Sequence, residues 1–171
     1  TVNEASAIWT RQKKDVTDDQ YKEFYRHVGG FDKPWMILHW NVEGTLEYRN
    51  LLYVPSAKPF DLFDPSRKHG VGLYVKRVFI TAEADGLVPP WLRFLRGVVD
   101  SEDLPLNVSR ELLQDNPMIT RMRRAIVKRI LTELGKKADK KPEEYKTFWD
   151  NFGAVIKEGL YEDFENRDEI L

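Results

Sequence analysis

The sequence predicts a mixed α/β fold, in which a sheet with helices is followed by a short helical coil. Three observations lead to this prediction. Two strand-like segments at 35–42 and 45–54 flank Glu43-Gly44, which is typical of a β-hairpin. Branched and aromatic residues at 71–81 and a short apolar segment at 97–100 add further strands. Beyond residue 116, the apolar residues recur at helical spacing instead.

The first helix is predicted from a capping box, Thr17-Asp18-Asp19-Gln20, in which Thr17 caps the helix and Gln20 reaches back. Apolar residues then recur at helical spacing, and Gly29-Gly30 is predicted to end the helix. In the second strand of the hairpin, alternation places four apolar side chains on one face. These are Leu46, Tyr48, Leu52 and Val54.

Prolines at 55 and 59 end that strand, and residues 59–63 form a compact apolar turn. Residues 71–81 are predicted as one continuous strand. Pro89-Pro90 is expected to open a short helix, because proline suits the first helical turn. Residues 97–100 then form a short buried strand.

Asn116-Pro117 predicts the start of a long helix, whose apolar stripe reaches Leu134 and which Gly135 is expected to end. Pro142 is predicted to start a second helix, and a third short one begins near Leu160. The predicted domains are an α/β core at 1–115, with a distinctive loop at 101–114, and a helical coil at 116–171 that leads to a further subdomain outside this chain.

Composition excludes several kinds of function. The formal net charge of −1 gives no overall attraction to nucleic acid or anionic membrane. There is no cysteine, which excludes disulfides and fits a reducing compartment. No apolar run approaches the roughly 20 residues needed to span a bilayer. The start resembles no signal peptide, and its lack of an initiator Met indicates a piece of a longer protein.

No complete catalytic site is predicted within the chain. Its three histidines have no second ligand at metal spacing, so no metal site is expected. The glycines at 70 and 72 lack the pattern of a dinucleotide loop, and no phosphate-binding P-loop occurs. The chain alone is therefore not expected to be an enzyme.

The loop at 101–114 is the unusual segment. Its apolar residues Leu104, Leu106 and Val108 alternate with polar ones, which would pin the loop to the core and aim the residues between them outward. Asn107 and Ser109 are suited to support the turn that follows. On a helical turn, Arg110 and Gln114 share one face, where a permanently charged guanidinium suits phosphate recognition. The alternative is that Arg110 pairs with a local carboxylate and that Gln114 is solvated.

The stretch VDSEDLPLNVSRELLQ at 99–114 resembles the middle segment of the ninety-kilodalton heat-shock chaperones. The resemblance covers nearly the whole chain and is closest to the bacterial branch of the family. The other matching motifs are IWTR at 8–11, EFY at 23–25, PFDLF at 59–63, LYVKRVFI at 73–80 and VPPWLRF at 88–94.

This resemblance implies an α/β sandwich like the second domain of ribosomal protein S5, followed by a helical coil. It also implies a cytoplasmic chaperone whose ATP, with Mg²⁺, is bound by an N-terminal domain outside this chain. That domain would be a partner within the same protein, and client proteins would be partners from outside. The family's dimer contact is C-terminal, so the complete protein is expected to be a homodimer and this chain alone a monomer.

Residue roles are implied in the same way. Arg110 would reach the γ-phosphate of ATP when the N-terminal domain docks, and Gln114 would assist. Trp9 would bind clients, on the expectation that it is exposed before the first helix; the alternative is a tryptophan packed in the core. Phe60 would hold the arginine-bearing loop at rest, and from the residues alone it is predicted to be a core anchor.

The sequence is also compatible with two other functions. Residues 121–141 carry nine basic side chains against two acidic ones, a pattern that could bind RNA or DNA. The simpler interpretation is a solvated helix face, balanced by the acidic residues at 158–171. The second alternative is an interaction scaffold with no part in ATP turnover.

Overall fold

The computed structural model describes residues 7–63, 70–82, 84, 86–105 and 116–171. Within this part of the chain, one five-stranded sheet forms the centre. Its strands are β1 (Pro34–Val42), β2 (Tyr48–Pro55), β3 (Gly70–Val75), β4 (Val78–Thr81) and β5 (Arg96–Ser101). Their spatial order is β1-β2-β5-β3-β4. All neighbouring strands are antiparallel except β3 and β5, which are parallel.

Helices cover both faces of the sheet. The α-helices are α1 (Asp18–His27), α2 (Pro117–Lys140), α3 (Pro142–Lys157), α4 (Gly159–Glu162) and α5 (Arg167–Ile170). Short 3₁₀ helices lie at Ile8–Thr10, Lys13–Asp15, Pro90–Leu92 and Phe164–Asn166. The predicted mixed α/β fold with a following helical coil is confirmed.

The alternation of side chains along the strands builds two cores. On one face, Leu51 and Tyr53 of β2 and Val98 of β5 pack with α1 and the segment that precedes it. On the other face, Leu52 of β2 and Val99 of β5 pack with α2 and α3. The predicted common face of Leu46, Tyr48, Leu52 and Val54 is confirmed, because all four belong to this second core or pack against it.

The start of α1 is formed as the sequence predicts. The Thr17 side chain accepts a hydrogen bond from the Gln20 amide, and the Gln20 side chain accepts one from the Thr17 amide. The helix ends before Gly29, whose φ of +96° is a left-handed conformation that favours glycine.

Residues 71–81 are not one strand, so that prediction is wrong. They form the hairpin β3–β4, which turns at Lys76 and Arg77, both with positive φ (49° and 66°). Turns of this kind usually contain asparagine or glycine. Here the left-handed backbone is held from outside the hairpin, since the Lys76 amide donates to the Ser101 carbonyl at 2.9 Å and the Arg77 amide donates to Asp100 at 3.2 Å.

The predicted end of the long helix at Gly135 is also wrong, because α2 continues to Lys140. Gly135 is exposed, and an added Cβ would have no atom within 4 Å. One glycine costs a helix only about 1 kcal/mol. The lysines at 136, 137 and 140 that follow it are good helix formers, and their charge suits the negative end of the helix dipole.

Candidate functional site

The loop at 101–114, called the arginine loop below, is described only at its beginning. Arg110, Gln114, Asn107, Ser109 and Leu106 all lie outside the described residues. Leu104 is among the described residues. It is buried in the same core as residues of α2 and α3, as expected of a residue that anchors the loop. The described residues on either side of the loop define where it begins and where it ends.

At the beginning of the loop, the backbone is tied to itself and to β2. The Ser101 hydroxyl accepts from the amides of Asp103 and Leu104, both at 3.2 Å. The Glu102 amide donates to the Glu47 carbonyl at 2.9 Å, and the Glu47 amide donates to the Asp103 carboxylate at 2.6 Å. These bonds hold residues 101–104 against Glu47, the residue just before β2 begins.

At the far end, Asn116 caps α2. Its side-chain oxygen accepts from the Met118 amide at 2.9 Å, and Pro117 takes the first helical position. The predicted start of this helix is confirmed. The segment 106–115 is therefore connected to fixed structure on both sides.

A buried carboxylate lies at the end of β5, just before the loop. Asp100 is 1% exposed. One of its oxygens accepts from the indole Nε1 of Trp9 at 2.8 Å, and the other accepts from the backbone amide of Arg77 at 3.2 Å. A buried carboxylate must be matched by donors, because removing it from water is costly. Asp100 thus joins the N-terminal segment, the β3–β4 turn and β5.

The same turn is joined to the loop by an ion pair. The guanidinium of Arg77 contacts the Glu102 carboxylate at 2.5 Å, and Arg49 of β2 approaches the same oxygen at 3.3 Å. The hydrogen bond from Arg77 lowers the pKa of Glu102 below its usual value, and that bond raises the pKa of Arg77. Both side chains are partly exposed, so solvent screening keeps the contribution to stability small.

The predicted exposure of Trp9 is wrong. Its side chain is 1% exposed, and its ring lies 5.5 Å from that of Phe24 and 4.7 Å from that of Tyr74. The alternative, a tryptophan packed in the core, is the arrangement observed. The indole N–H finds a buried acceptor in Asp100, which makes complete burial of this amphipathic ring favourable. In this conformation Trp9 offers no surface to a client.

The prediction that Phe60 is a core anchor is also wrong, because its side chain is fully exposed (103%). The neighbouring apolar residue takes the inward position instead. Leu62 is buried in the core, and its amide donates to the Pro59 carbonyl at 3.2 Å across a tight turn. The pattern PFDLF has three apolar side chains and cannot reveal which of them the turn directs inward.

His39 ties β1 to the segment that carries Trp9. Its Nε2 lies 3.0 Å from the Trp9 carbonyl, and its Nδ1 lies 2.7 Å from the Tyr21 hydroxyl. Because a carbonyl only accepts, Nε2 carries a proton, and in the neutral imidazole Nδ1 then accepts from the Tyr21 hydroxyl. Burial lowers the pKa of His39 below its ordinary value, and Lys13 nearby acts in the same direction.

We expect the stability of the chain to depend on pH through this histidine. The folded state favours neutral imidazole, so the unfolded chain binds more protons between the two pKa values. The stabilisation is complete above the ordinary histidine pKa of about 6.5 and is lost as the pH falls from there through the lower pKa of the folded state. Urea unfolding between pH 5 and 8 should show a shallower acid loss in His39→Gln than in the parent chain. His27→Gln, at the exposed end of α1, is the control for the loss of one histidine, and an equal change of slope in that variant would contradict the role of His39.

Several cations of the basic stretch 121–141 already contact neighbours. Arg121 donates to the Thr45 hydroxyl at 3.1 Å, and Arg123 donates to the Gly86 carbonyl at 3.1 Å. Arg129 lies over the ring of Trp40, and Lys137 lies over that of Trp35. These contacts direct part of the positive charge toward the domain itself rather than toward a nucleic acid.

Within the described ranges, no group of three or more acidic or histidine side chains could hold a metal ion. The helices in those ranges also include none that is long and apolar enough to cross a membrane.

Comparison with known proteins agrees with the fold and the loop motif. The family model described as Hsp90 protein matches residues 1–171. The chain belongs to the Hsp90 family. Among solved structures, it is similar to the middle domain of a heat shock protein of Plasmodium falciparum. The TM-score is 0.81 at 32% identity, covering 95% of this chain and 62% of that one.

Bacterial chaperones are among the relatives with similar sequences. The chaperone protein HtpG of Paramagnetospirillum magneticum is 58% identical over 100% of this chain, and that of Rhodopseudomonas palustris is 57% identical over 99%. The chain spans only 28% and 27% of their lengths, respectively. It therefore corresponds to a middle segment of HtpG. The nucleic-acid alternative gains no support from these relatives.

Proposed function

We propose that this chain is the middle segment of an ATP-dependent chaperone and supplies Arg110 to ATP bound elsewhere in the same protein. The N-terminal domain would hold the ATP and its Mg²⁺. The observation that carries the proposal is the loop motif at 99–114 in a chain of the Hsp90 family. The anchored ends of the loop, at Leu104 and Asn116, support it further.

The chemistry required of Arg110 is electrostatic. Negative charge on the γ-phosphoryl oxygens is stabilised in the transition state by a positive group placed beside them. An arginine suits this role because its charge is permanent and its donors form a rigid fork. Gln114, four residues further along the sequence, would assist. Since the ATP lies in another domain, turnover would occur only when the two domains close, which couples hydrolysis to conformation.

The proposal is tested in the complete protein by replacing Arg110 with alanine. Slow ATP hydrolysis with unchanged nucleotide affinity would support the arginine role. Unchanged hydrolysis would contradict it and leave an interaction scaffold, the alternative that takes no part in turnover. The proposal also includes a homodimer formed through a C-terminal domain, with this chain monomeric when alone. Sedimentation of the chain as a dimer at low concentration would contradict that part.

We further propose that client contact in this segment involves exposed phenylalanines, here called the aromatic edge: Phe31, Phe60 and Phe63. Phe31 is 99% exposed, and Phe60 is fully exposed. Basic side chains lie beside two of these rings: Lys22, Arg26 and Lys33 line one pocket with Phe31, and Lys58 lies over the ring of Phe63. Exposed aromatic rings beside cations suit unfolded segments that combine apolar and acidic residues.

The two loops of the aromatic edge are joined by one carboxylate. Asp32, next to Phe31, accepts from the amides of Ser56 and Ala57, both at 2.8 Å, and from the Tyr25 hydroxyl at 2.6 Å. The loop that contains Ser56 continues to Phe60. Asp32 thereby holds both loops at the end of the sheet where β1 begins and β2 ends, so the exposed rings are presented by fixed backbone.

Replacing Phe31 and Phe60 together with serine should weaken client binding about tenfold, because few residues carry most of the energy of an interface. The measurement is the dissociation constant for an unfolded, acidic model client. Tyr161→Ser is the matched control, since Tyr161 is 82% exposed but lies on α4. Equal loss in the control, or none in the double variant, would contradict this role for the aromatic edge.

A further inference from the structure

We infer that Asp100 is a positioning residue for Arg110, because it clamps the beginning of the arginine loop to the β3–β4 turn. This inference rests on the proposed function. It adds to that function one specific buried side chain, which fixes the place where the loop begins. Asp100 would touch neither ATP nor the phosphoryl group, and its effect would be transmitted through residues 101–104.

The clamp consists of three contacts that the turn makes with successive residues, two at the end of β5 and one just after it. Asp100 accepts from the Arg77 amide at 3.2 Å, the Ser101 carbonyl accepts from the Lys76 amide at 2.9 Å, and Glu102 pairs with the Arg77 guanidinium at 2.5 Å. The parallel register of β3 and β5 brings Val75 opposite Ser101, which places the turn beside the start of the loop.

Two features of the clamp are energetically unfavourable by themselves. Lys76 and Arg77 both have left-handed backbone, which non-glycine residues rarely adopt. Asp100 is a carboxylate buried away from water. Neither feature is needed to close a hairpin, since an Asn-Gly turn would do so without strain. Strain of this kind is concentrated where the surroundings fix a functional segment, which is consistent with a role in holding the loop.

The remaining hydrogen bond of Asp100 extends the clamp to the N-terminal segment. The Trp9 indole donates to the second carboxylate oxygen at 2.8 Å, and the Trp9 carbonyl accepts from His39. With both oxygens engaged, the carboxylate has little freedom to rotate. The direction in which the chain leaves β5 is therefore fixed by partners on two separate elements.

The expected consequence concerns rate rather than affinity. A displacement of about 1 Å at a catalytic group can cost about 100-fold in rate. Asp100→Asn keeps the size of the side chain but turns an NH₂ group toward one of the two donors, so one hydrogen bond is lost. In the complete protein, we expect kcat for ATP hydrolysis to fall about 10- to 100-fold, with KM and nucleotide affinity unchanged.

Asp163→Ala provides the control for lost stability. Asp163 also accepts from a backbone amide, that of Asn166, but it caps the short 3₁₀ helix at Phe164–Asn166, whereas Asp100 lies at the end of β5. It should lower the melting temperature and leave kcat at the parent value. An equal fall of kcat in both variants would mean general destabilisation and would overturn the inference.

A second test uses a double variant that combines Asp100→Asn with Arg110→Ala. If Asp100 acts through Arg110, Asp100→Asn should have little further effect on kcat once Arg110 is alanine. An undiminished effect in that background would indicate a purely structural role and overturn the inference. A parent-like kcat in Asp100→Asn, with slow turnover in Arg110→Ala, would overturn only the inference. Normal turnover in Arg110→Ala would overturn the proposed function as well.

Discussion

In the complete protein, Arg110→Ala is expected to lower the rate of ATP hydrolysis at saturating nucleotide by about 10³-fold or more, the lower range for an arginine supplied to a phosphoryl group. The nucleotide dissociation constant should stay near the parent value. The reason is that the guanidinium would contact the γ-phosphate mainly when the domains close, so it stabilises the transition state more than the bound ground state.

Arg110→Lys separates charge from geometry. A lysine retains one positive charge but loses the planar fork that makes two parallel hydrogen bonds to phosphate. Its rate should therefore lie between those of the alanine variant and the parent. A rate equal to the parent's would show that charge alone is sufficient, which would contradict the bidentate role.

Arg121→Ala is the control for the loss of one arginine near the loop. Arg121 lies on the first turns of α2, is exposed and donates to the Thr45 hydroxyl. Its replacement should leave hydrolysis at the parent rate. A comparable fall of the hydrolysis rate in Arg121→Ala would mean that the loss of any positive charge in this region slows the reaction. The specific role of Arg110 would then be contradicted.

The elements predicted correctly from sequence depend on short-range chemistry. The capping box of α1 and the Asn116 cap of α2 involve residues two or three positions apart, so the sequence contains all partners. The hairpin β1–β2 was likewise predictable, because two segments rich in branched and aromatic residues flank the turn signal Glu43-Gly44. Local patterns of this kind are sufficient to define the fold class.

The errors occurred where distant residues decide the local structure. Residues 71–81 contain no turn signal at the position where the hairpin turns. The left-handed conformation of Lys76 and Arg77 depends on hydrogen bonds to Asp100 and to the Ser101 carbonyl. Trp9 is buried with its indole N–H bonded to Asp100, and this partner lies 91 positions away in the sequence. Phe60 is exposed because Leu62, two positions later, occupies the core. Hydrophobicity alone cannot distinguish these outcomes.

The candidate site, too, was predictable only in part. The arginine loop was predicted because its sequence resembles a family motif, and Arg110 and Gln114 belong to that motif. The contribution of Arg77 was missed, since its link to Glu102 spans 25 positions and arises from the pairing of β3 with β5. The only signal in the sequence was that both residues lie in motifs shared with the family. Such motifs show which segments matter, but they do not show that the two segments are in contact.

Gly97→Ala is expected to destabilise the chain by about 4 kcal/mol or more, which for a typical domain is a large part of the total stability. Gly97 has a φ of +132°, and a Cβ at this position would lie 2.0 Å from the Leu51 carbonyl oxygen. The strand cannot move away easily, because β5 lies between β2 and β3 and is paired to both. Relief of the clash would therefore break the ladder that leads to Asp100.

Gly135→Ala is the matched control for this change. Gly135 lies on the exposed side of α2, where an added Cβ has open space, so alanine should stabilise the chain by about 1 kcal/mol. Urea unfolding followed by circular dichroism should give midpoints that shift in opposite directions for the two variants. A Gly97→Ala chain that unfolds at the parent's midpoint would mean that β5 and β2 do not approach this closely, and the central pairing of the sheet would have to be revised.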